Sequence, residues 1–328
     1  MQNKKYKWGI IAPGHIANKF ATGLSEAERA EFYAVASRDI NRAEDFAKKF
    51  GFAKAYGSYK ELAEDDNVDI VYIATPHSQH MDATLLCLEH GKAVICEKPL
   101  AVNAAQARRM IECARKNKTF LMEAVWSRLF PAMVKTRELL ASGAIGKPRH
   151  INAEFCFAAG YNPASRLYDP ALAGGSLLDV GVYNLNFSNM VFGRKPEKMQ
   201  SHIEFSPSGV DETACVMLSY GENQTAQVLS SVSLNASHDA VIYGDEGNIR
   251  LPSYWCGNTV ILNSYKDGVQ EFSLPYESTG YQFEAIEVME CLDKGLLESP
   301  VMPLAETLEV MEMMDKIRYD NGFKYPFE

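Results

Sequence analysis

Five short apolar runs alternate with amphipathic, helix-like patterns in the first 126 residues, and this alternation constrains the fold more than any other feature. Each run is too short for a free-standing helix but suits a strand that is buried on both faces. Strands that alternate with helices in this way form a doubly wound parallel sheet. The runs lie within segments 7–17, 31–39, 69–77, 93–96 and 119–126. We therefore predict an α/β protein whose N-terminal domain comprises residues 1–124.

The pattern changes after residue 124, where polar and apolar residues alternate between turns rich in Gly, Asn and Ser. Such segments are typical of a large antiparallel or mixed sheet. The candidate strands are 150–157, 198–206, 212–220, 224–234, 239–243, 247–251 and 258–274, and the candidate helices are 132–142, 175–192, 280–294 and 304–321. We predict a C-terminal α+β domain, residues 125–328, built on a large, mostly antiparallel open sheet.

Lys98 follows the fourth apolar run, in the sequence Ile95-Cys-Glu-Lys-Pro99. The carboxyl ends of parallel strands face the ligand crevice of an open α/β sheet. A lysine at such an end, between the carboxylate of Glu97 and a proline with a fixed φ angle, is well placed to contact a cofactor or substrate. We therefore take Lys98 as the centre of a predicted active site.

The first run leads into Ala12-Pro-Gly-His-Ile-Ala17, at the place of a glycine-rich dinucleotide-binding loop. In that fingerprint, glycines let the backbone approach the pyrophosphate at a helix N-terminus. Ala12 replaces the first glycine of the pattern. Taken alone, the segment therefore fits both a nucleotide-binding loop and an ordinary β–α turn.

The second run ends in Ser37-Arg38-Asp39, about twenty residues after the glycine loop, where a ribose-binding residue is expected. A guanidinium with a hydroxyl suits a 2′-phosphate, whereas a carboxylate suits a free 2′-hydroxyl. NADP is therefore the predicted cofactor, and Asp39 keeps NAD possible. The alternative is that Arg38 only ends a strand at the surface. Arg42 lies in the first turn of the next helix, which we expect Asn41 to cap.

The third run ends in Thr75-Pro-His-Ser-Gln-His80. We expect this loop to lie over the nicotinamide or its ribose, with His80 at the start of a helix that runs to Glu89. The alternative is that His80 only caps that helix. No Cys or carboxylate supplies a third ligand at a suitable spacing from His77 and His80, so no metal site is predicted.

The segment Gly174-Gly-Ser-Leu-Leu-Asp-Val-Gly-Val-Tyr183 is the most informative part of the second half. In a helix, Asp179 and Tyr183 share a face because they are four residues apart. A nearby ammonium favours the phenolate form of a tyrosine. We therefore predict Tyr183 as a general acid/base, tuned by Lys98 and oriented by Asp179. The two glycines are expected to admit a bulky group such as a cofactor ring.

Composition excludes several classes of partner for this 328-residue chain. A net charge of −9, with 33 basic residues that form no visible stripe, argues against nucleic acid as a partner. The seven cysteines are scattered without a C-x-x-C pair, so we expect reduced thiols and a cytoplasmic protein. The basic residues 1–7 precede only a short apolar stretch, so neither a signal peptide nor a membrane span is expected.

The motifs resemble, in order and over essentially the full length, the glucose-fructose oxidoreductase and inositol dehydrogenase family. They are A-P-G-H-I-A, S-R-D, I-A-T-P-H-S-Q-H, C-E-K-P, M-E-A-V-W-S-R and G-G-S-L-L-D-V-G-V-Y. The resemblance implies an N-terminal Rossmann domain and a catalytic Lys98 and Tyr183 with Asp179 beside them. It also implies that Arg166 reaches the cofactor. The residues that it implies for the substrate pocket are Trp126, Arg128, Phe155, Tyr183 and Trp255, although Trp255 fits a core position equally well.

The residues expected to contact the dinucleotide lie just after the predicted strands of the first domain, apart from Arg166, which only the resemblance implies. They are Ala12, Pro13, Gly14, His15, Ile16, Ser37, Arg38, Arg42, Thr75, Pro76, His77, His80, Glu97, Lys98 and Arg166. The replacement of the usual first Gly by Ala12 makes the pyrophosphate contact less secure, although Ala is the smallest substitute.

These observations predict an NADP-dependent oxidoreductase that transfers a hydride between the nicotinamide and a secondary alcohol or hemiacetal carbon. The substrate implied by the resemblance is a sugar or a cyclic trans-dihydrodiol. The alternatives are an aldose dehydrogenase or sugar ketone reductase, and a non-catalytic NAD(P)-sensing regulator on the same fold. The resemblance further implies a homodimer through the C-terminal sheet, whose outer face needs cover.

Overall fold

The structure, a computed structural model, describes residues 4–328. Residues 1–3, the start of the basic segment in which no signal peptide was expected, lie outside the described residues. The remainder forms two sheets, one parallel and one mostly antiparallel, with helices between and around their strands. This arrangement confirms the predicted α/β class with a second α+β part.

The first sheet is fully parallel and has six strands in the order β3-β2-β1-β4-β5-β6. Its strands are β1 (Tyr6–Ile11), β2 (Ala30–Ala36), β3 (Lys54–Tyr56), β4 (Ile70–Ile73), β5 (Ala93–Glu97) and β6 (Leu121–Ala124). Every residue of β4 and β5 is buried, as the unbroken apolar runs predicted. Only β3 was missed, because three residues at a sheet edge are too short to show a pattern.

The helices of this part connect the strands in the doubly wound manner. They are α1 (His15–Leu24), α2 (Ile40–Phe50), α3 (Tyr59–Glu64), α4 (His80–Glu89) and α5 (Ala104–Asn117). The side chain of Asn103 accepts a hydrogen bond from the N–H of Gln106 and caps α5. The predicted cap of α2 is wrong: Asp39, not Asn41, is the N-cap, because its carboxylate accepts from the backbone N–H of Asn41 at 3.0 Å.

The second sheet has eight strands in the order β14-β13-β12-β11-β7-β10-β9-β8, and only the β7–β10 pair is parallel. The strands are β7 (Pro148–Cys156), β8 (Lys198–Phe205), β9 (Asp211–Gly221), β10 (Gln224–Ser231), β11 (Ala240–Gly244), β12 (Gly247–Leu251), β13 (Thr259–Ser264) and β14 (Gly268–Ser273). The candidate strand 258–274 is therefore a hairpin, in which the hydroxyl of Ser264 accepts from the N–H of Asp267.

Four helices accompany this half of the chain: α6 (Pro131–Ala141), α7 (Val182–Phe192), α8 (Gln282–Asp293) and α9 (Leu304–Asp320). The predicted helix 175–192 is not regular, since a π-helical turn spans Leu177–Gly181 before α7 begins. Such turns are frequent at functional sites. None of the helices in residues 4–328 is long and apolar enough to cross a membrane.

The chain divides into two compact units that are not contiguous in sequence. The first unit comprises Met1–Trp126 and Glu277–Ala305, and the second comprises Ser127–Tyr276 and Glu306–Glu328. The break at residue 126 is close to the predicted boundary. The sequence had placed segment 277–305 in the C-terminal domain, but this segment, which contains α8, packs with the first unit. Its alternation of helix and turn gives no sign of which sheet it returns to.

Candidate active site

In the first unit, the predicted cofactor-binding residues gather at one edge of the parallel sheet. β2, β1, β4 and β5 are neighbours in that order, and the loops after them begin at Ser37, Ala12, Ala74 and Lys98. Because the strands are parallel, their carboxyl ends lie at the same edge. The strand order reverses direction beside β1, and this point of an open α/β sheet is where dinucleotides bind.

The loop after β1 fits a pyrophosphate. Ala12 takes the left-handed conformation with φ of 66°, and the N–H of Gly14 donates to the Ala12 carbonyl at 2.7 Å. No side chain caps α1, which starts with His15 and Ile16. A Cβ on Gly14 would meet only the Ala12 carbonyl oxygen, at 3.9 Å, so the space before the helix N-terminus is open. Backbone N–H groups at such a terminus bind phosphate oxygens.

The loop after β2 and the first turn of α2 each carry a guanidinium group close to one phenol. Arg38 and Arg42 are exposed, and both lower the pKa of Tyr59, which burial raises above its ordinary value. Ser37 is buried, and its hydroxyl accepts from the N–H of Asp39 at 3.2 Å. The carboxylate of Asp39 is occupied in capping α2. Tyr59 was not predicted, because its only signal in the sequence is an aromatic residue after a helix-capping serine.

His80 connects two loops of this edge through its ring. It is completely buried, with Nδ1 2.8 Å from the Pro99 carbonyl oxygen and Nε2 2.9 Å from the Thr75 carbonyl oxygen. Burial lowers the pKa of His80 to about 4, and the Lys98 ammonium acts in the same direction. The ring is therefore neutral at pH 7, and the alternative role as a helix cap is wrong, because Gln79 is the N-cap of α4 and no side chain caps this helix. Its contact with a cofactor stays a prediction.

The loop after β4 offers a hydrogen-bonding group to a ligand. The hydroxyl of Thr75 is buried and has no hydrogen-bond partner in the part of the chain that the structure describes. His77 is also buried, in the short 3₁₀ turn that follows Pro76. An unsatisfied buried hydroxyl beside the dinucleotide edge fits a site that is completed by a bound molecule.

Glu97 and Lys98 lie at the end of β5, above a buried acidic cluster. Glu97 is buried, accepts a hydrogen bond from the hydroxyl of Tyr72, and accepts from the backbone N–H of Lys98 at 3.3 Å. Glu284 of α8 is completely buried, and burial together with the charge of Glu97 raises its pKa well above its ordinary value. The Lys98 side chain is half-buried, and the Lys98–Pro99 peptide bond is cis.

Trp126 closes the first unit as part of an aromatic stack. Its ring is parallel to that of Tyr281, with centroids 4.2 Å apart. Tyr281 packs edge-on against Phe20, which stacks on Tyr72 at 3.6 Å. Trp126 is only 7% exposed, and its role in binding substrate stays a prediction. Tyr281 was not foreseen because it is distant in sequence from every other member of the stack.

In the second unit, three predicted pocket residues form one aromatic cluster. Tyr183 is buried in the first turn of α7, with its ring centroid 5.4 Å from that of Phe155 on β7. The ring of Trp255 stacks on that of Phe155, with centroids 4.5 Å apart and an angle of 14° between the ring planes. Trp255 is half-buried and therefore is not a core tryptophan. The cluster presents the phenol of Tyr183 beside flat apolar rings.

His238 belongs to the same cluster and was missed by the sequence analysis. Its Nε2 contacts the carbonyl oxygen of Cys156, and the indole N–H of Trp255 is 3.4 Å from its Nδ1. These contacts fit the neutral form with the proton on Nε2, in which Nδ1 accepts from the indole. A lone histidine in the loop Asn235-Ala-Ser-His238 carries no pattern that predicts these partners.

Asp179 is paired with the predicted cofactor residue Arg166. The carboxylate is buried within the π-helical turn and accepts from Nη1 of Arg166 at 2.9 Å. The glycine pair before it is explained by the chain itself, which corrects the expected approach of a cofactor ring. A Cβ on Gly174 would lie 2.7 Å from the carbonyl oxygen of Leu167, and a Cβ on Gly175 would collide with Asp211.

Arg128 makes a buried ion pair within the second unit. Both of its terminal nitrogens donate to Glu306, at 2.6 and 2.9 Å, and Nη1 also donates to the Asn186 carbonyl at 3.2 Å. Its side chain is 5% exposed. A bidentate buried pair of this kind positions helices. A role for Arg128 in substrate binding stays a prediction.

No group of three or more His, Cys, Asp or Glu side chains within residues 4–328 is arranged to hold a metal ion. The polar groups of the site are hydroxyls, guanidiniums, an ammonium and backbone N–H groups at a helix terminus. This set of donors suits phosphates and a sugar. The acid–base roles of Tyr183 and Lys98 stay predictions.

Two family models match the chain. The model for the GFO/IDH/MocA oxidoreductase family with an NAD-binding Rossmann fold matches residues 6–125, and the GFO/IDH/MocA C-terminal domain model matches residues 133–250. The chain is 45% identical to trans-1,2-dihydrobenzene-1,2-diol dehydrogenase of Mus musculus, over 98% of each chain.

Solved structures with the same fold include complexes with both nicotinamide dinucleotides. A 3-ketoreductase from Actinomadura kijaniata in complex with NADP and TDP-benzene superposes with a TM-score of 0.84 at 23% identity, covering 96% of this chain and 98% of that one. Levoglucosan dehydrogenase in complex with NADH and L-sorbose gives a TM-score of 0.90 at 18% identity, covering 97% of both chains. At these identities the likeness concerns the fold alone.

Proposed function

The chain belongs to the GFO/IDH/MocA family of oxidoreductases, enzymes that act on hydroxyl groups with a nicotinamide cofactor, and on that premise we propose an NADP-dependent dehydrogenase of cyclic trans-dihydrodiols or sugars. When bound, the nicotinamide supplies the acceptor of the substrate hydride, or its donor in the reverse reaction. Tyr183 is the general acid/base and Lys98 assists it.

The cofactor is NADP rather than NAD in this proposal because of the charges around the loop after β2. Arg38 and Arg42 together provide two guanidiniums for a 2′-phosphate, with the hydroxyl of Ser37 beside them. The carboxylate that would hold a free 2′-hydroxyl, Asp39, caps α2. An additional phenol, Tyr59, lies near both arginines and can donate to the same phosphate.

Tyr183 removes the proton of the substrate hydroxyl during oxidation and returns it during reduction. The Lys98 ammonium binds the substrate oxygen and favours the ionised phenol, since an opposite charge stabilises a phenolate. Asp179, held by Arg166, orients these groups. Thr75 and the backbone N–H groups of the first turn of α1 bind and align the dinucleotide.

The aromatic wall of Phe155 and Trp255 beside Tyr183 is the observation that carries the substrate class. Flat rings stack on ring-shaped apolar ligands, and a pocket with few polar groups selects by shape. A cyclic trans-dihydrodiol offers one such face together with a secondary hydroxyl. Sugars also stack on tryptophan, so an aldose is the competing substrate.

We expect Tyr183→Phe to lower kcat by on the order of 10² to 10⁴ with NADP(H) binding unchanged, because the phenol oxygen is the proton acceptor. The measurements are steady-state kinetics with a trans-diol and fluorescence titration with NADPH. Tyr265→Phe is the matched control, since Tyr265 is 66% exposed in the β13–β14 turn. Full activity of Tyr183→Phe would contradict the proposed role of Tyr183 as the general acid/base.

The substrate class is tested by NADP⁺ reduction with a cyclic trans-diol, xylose and glucose under the same conditions. We expect the highest kcat/KM with the diol. A higher value with either sugar would make the protein an aldose dehydrogenase with the same catalytic residues.

We expect Arg38→Ala to lower kcat/KM for NADP about 10- to 100-fold while leaving that for NAD unchanged, since a charge-assisted phosphate contact contributes about 1.5 to 3 kcal/mol. Arg115→Ala on the exposed face of α5 is the control. Equal losses with the two dinucleotides would show that Arg38 does not contact the 2′-phosphate.

We also propose a homodimer through the outer face of the second sheet and a cytoplasmic location. Met217 is 60% exposed on β9, beside Cys215 and opposite Gln200 of β8. We expect Met217→Asp to convert the dimer to a monomer in light scattering, whereas Tyr265→Asp leaves it intact. All seven cysteines are free thiols, which supports a reducing compartment, and cell fractionation tests it.

A further inference from the structure

The Tyr183 segment, residues 176–192, consists of Ser176, the π-helical turn and α7. A carboxylate from another element holds the start of this segment. Asp211, the first residue of β9, is completely buried. Its Oδ2 accepts from the backbone N–H of Leu177 at 2.6 Å and from the hydroxyl of Ser176 at 2.8 Å. Both donors belong to the first residues of the segment, ahead of Asp179 and Tyr183. A negative charge at this position also favours the helix dipole.

Gly175 gives the carboxylate of Asp211 access to this position. Its φ is +121°, and any Cβ would collide with Oδ1 of Asp211. Oδ1 has no hydrogen-bond partner among residues 4–328. The carboxylate therefore accepts hydrogen bonds through one oxygen, Oδ2, and both of these bonds come from the start of the Tyr183 segment.

The C-terminal tail supports the same loop from a second direction. The hydroxyl of Tyr325 donates to the carbonyl of Gly174 at 2.6 Å. Arg318, also completely buried, lies 4.9 Å from the Tyr325 ring centroid and pairs with Glu328 and Asp315. The start of the segment is thus fixed by groups that come from β9 and from the region after α9.

Stability alone does not favour an acid at position 211. Burial raises the pKa of Asp211 to about 6, although its contacts with Leu177, Ser176 and Arg318 oppose this. The ionised form that predominates at neutral pH is therefore unfavourable for folding, because a buried charge loses its hydration. A neutral amide of the same size would avoid this cost.

We propose that Asp211 is a positioning residue, whose charged carboxylate fixes the start of the Tyr183 segment and thereby the place of the Tyr183 phenol. The inference rests on the proposed function, since this placement matters for catalysis only if Tyr183 is the acid/base. Charge-assisted hydrogen bonds are roughly twice as strong as neutral ones, so protonation loosens the segment. The charged and titratable groups that act on Asp211 are Arg318 and Tyr325, and Arg318 in turn pairs with Glu328 and Asp315.

The test compares the pH dependence of kcat in the wild-type protein and in Asp211→Asn. We expect kcat to be about tenfold lower in the variant at pH 8, with KM within threefold, NADPH binding unchanged and a melting temperature that is equal or higher. The ratio of the two kcat values falls towards one at pH 5, as the wild-type carboxylate becomes protonated.

Two variants complete the design. Ser176→Ala removes one donor to Asp211 and is expected to lower kcat two- to threefold, which keeps the test available if Asp211→Asn does not fold. Asp169→Asn is the matched control, because the Asp169 carboxylate accepts from the Ala171 N–H at 2.8 Å and caps another helix of the same unit. Its kcat is expected to be unchanged at every pH.

Hydrogen exchange of residues 176–183 separates this inference from the proposed function, since it does not depend on turnover. We expect faster exchange there in Asp211→Asn, and in the wild type at pH 5 relative to pH 7.5 after correction for intrinsic rates. Unchanged exchange together with a constant kcat ratio overturns the positioning role while Tyr183→Phe still tests the mechanism. An active Tyr183→Phe with faster exchange in Asp211→Asn overturns the mechanism alone.

Discussion

Ala12 adopts a backbone conformation that side chains usually avoid. With φ of 66° it lies in the left-handed region, at the position of the first glycine in the dinucleotide fingerprint. The loop geometry that glycine normally supplies is therefore kept by alanine. The sequence showed the substitution, but whether the turn survived it depended on the local backbone, which composition does not determine.

We expect Ala12→Gly and Ala12→Val to act in opposite directions. Glycine relieves the left-handed strain and should leave the free energy of unfolding equal or up to about 1 kcal/mol higher. Valine, which is β-branched, should lower it by about 1 to 3 kcal/mol and weaken NADPH binding. Urea unfolding and fluorescence titration measure both. An Ala12→Val variant with the same free energy of unfolding as the wild type would contradict the strain at this position.

Glu284 is a residue whose charge opposes folding. Neither carboxyl oxygen has a hydrogen-bond partner within the described residues, and its pKa lies well above the ordinary value. A raised carboxyl pKa in the folded state means that stability falls as the pH rises, because the unfolded state ionises first. Removing the ionisable group should therefore help most at high pH.

We expect Glu284→Gln to raise the melting temperature by a few degrees at pH 8 and by less at pH 5, because the amide cannot ionise. Scanning calorimetry at both values measures the difference. Glu290→Gln is the control on the exposed face of α8, where loss of its pairing with Lys294 should change little. A larger gain at pH 5 than at pH 8 would contradict the assigned direction.

At the level of elements, the sequence predicted what depends on local pattern and missed what depends on distant partners. The strands that precede Lys98 and His77, β5 and β4, were predicted because apolar runs before polar loops define parallel strand ends. The π-helical turn before α7 was not, since Asp211 and Ser230 shape it from the second sheet. The cluster of Phe155 and His238 likewise requires the pairing of β7 with β11, which no local pattern specifies.

α4 illustrates how one side chain can connect elements. The ring of His80 bridges carbonyl oxygens in the loops after β4 and after β5, and so links the predicted cofactor loop to the loop of Lys98. Its pKa of about 4 is below the value of about 6.5 in an unfolded chain. The stability from neutral His80 is therefore complete above pH 6.5 and is lost as the pH falls through 4.

We expect His80→Gln to lower the free energy of unfolding by about 1 to 3 kcal/mol at pH 7.5, because the buried carbonyl that accepts from the single N–H of the neutral ring loses a well-placed donor. The difference from wild type should narrow towards pH 4.5, where the wild-type ring begins to protonate. Urea unfolding at several pH values tests this. His90→Gln, at the exposed end of α4, is the control. A difference that is constant with pH would mean that His80 does not titrate below its ordinary value.

At the level of the whole molecule, the first unit is completed by a segment that lies about 150 residues further along the chain. Tyr281 packs on Trp126, Asp293 accepts from the hydroxyl of Tyr6 at 2.8 Å, and the N–H of Leu121 donates to the Leu297 carbonyl at 3.1 Å. These contacts bury aromatic and apolar surface that the parallel sheet would otherwise expose.

We expect residues 1–126 alone to lack cooperative unfolding, because Tyr281 and the apolar face of α8 are missing. The same residues joined to 277–305 through a flexible Gly/Ser linker should unfold cooperatively and bind NADPH. Near-ultraviolet circular dichroism in urea compares the two. Equal stability of both polypeptides would show that segment 277–305 does not complete the unit.

The interleaved order of the two units also determines when each can mature during synthesis. Residues 277–305 emerge from the ribosome after residues 127–276 of the second unit, and that unit in turn lacks residues 306–328 until they too are synthesised. Neither half of the nascent polypeptide can reach its final form on its own schedule. Each unit is completed only after part of the other unit has been synthesised, so the parallel strands of the first unit stay exposed for longer, which favours aggregation.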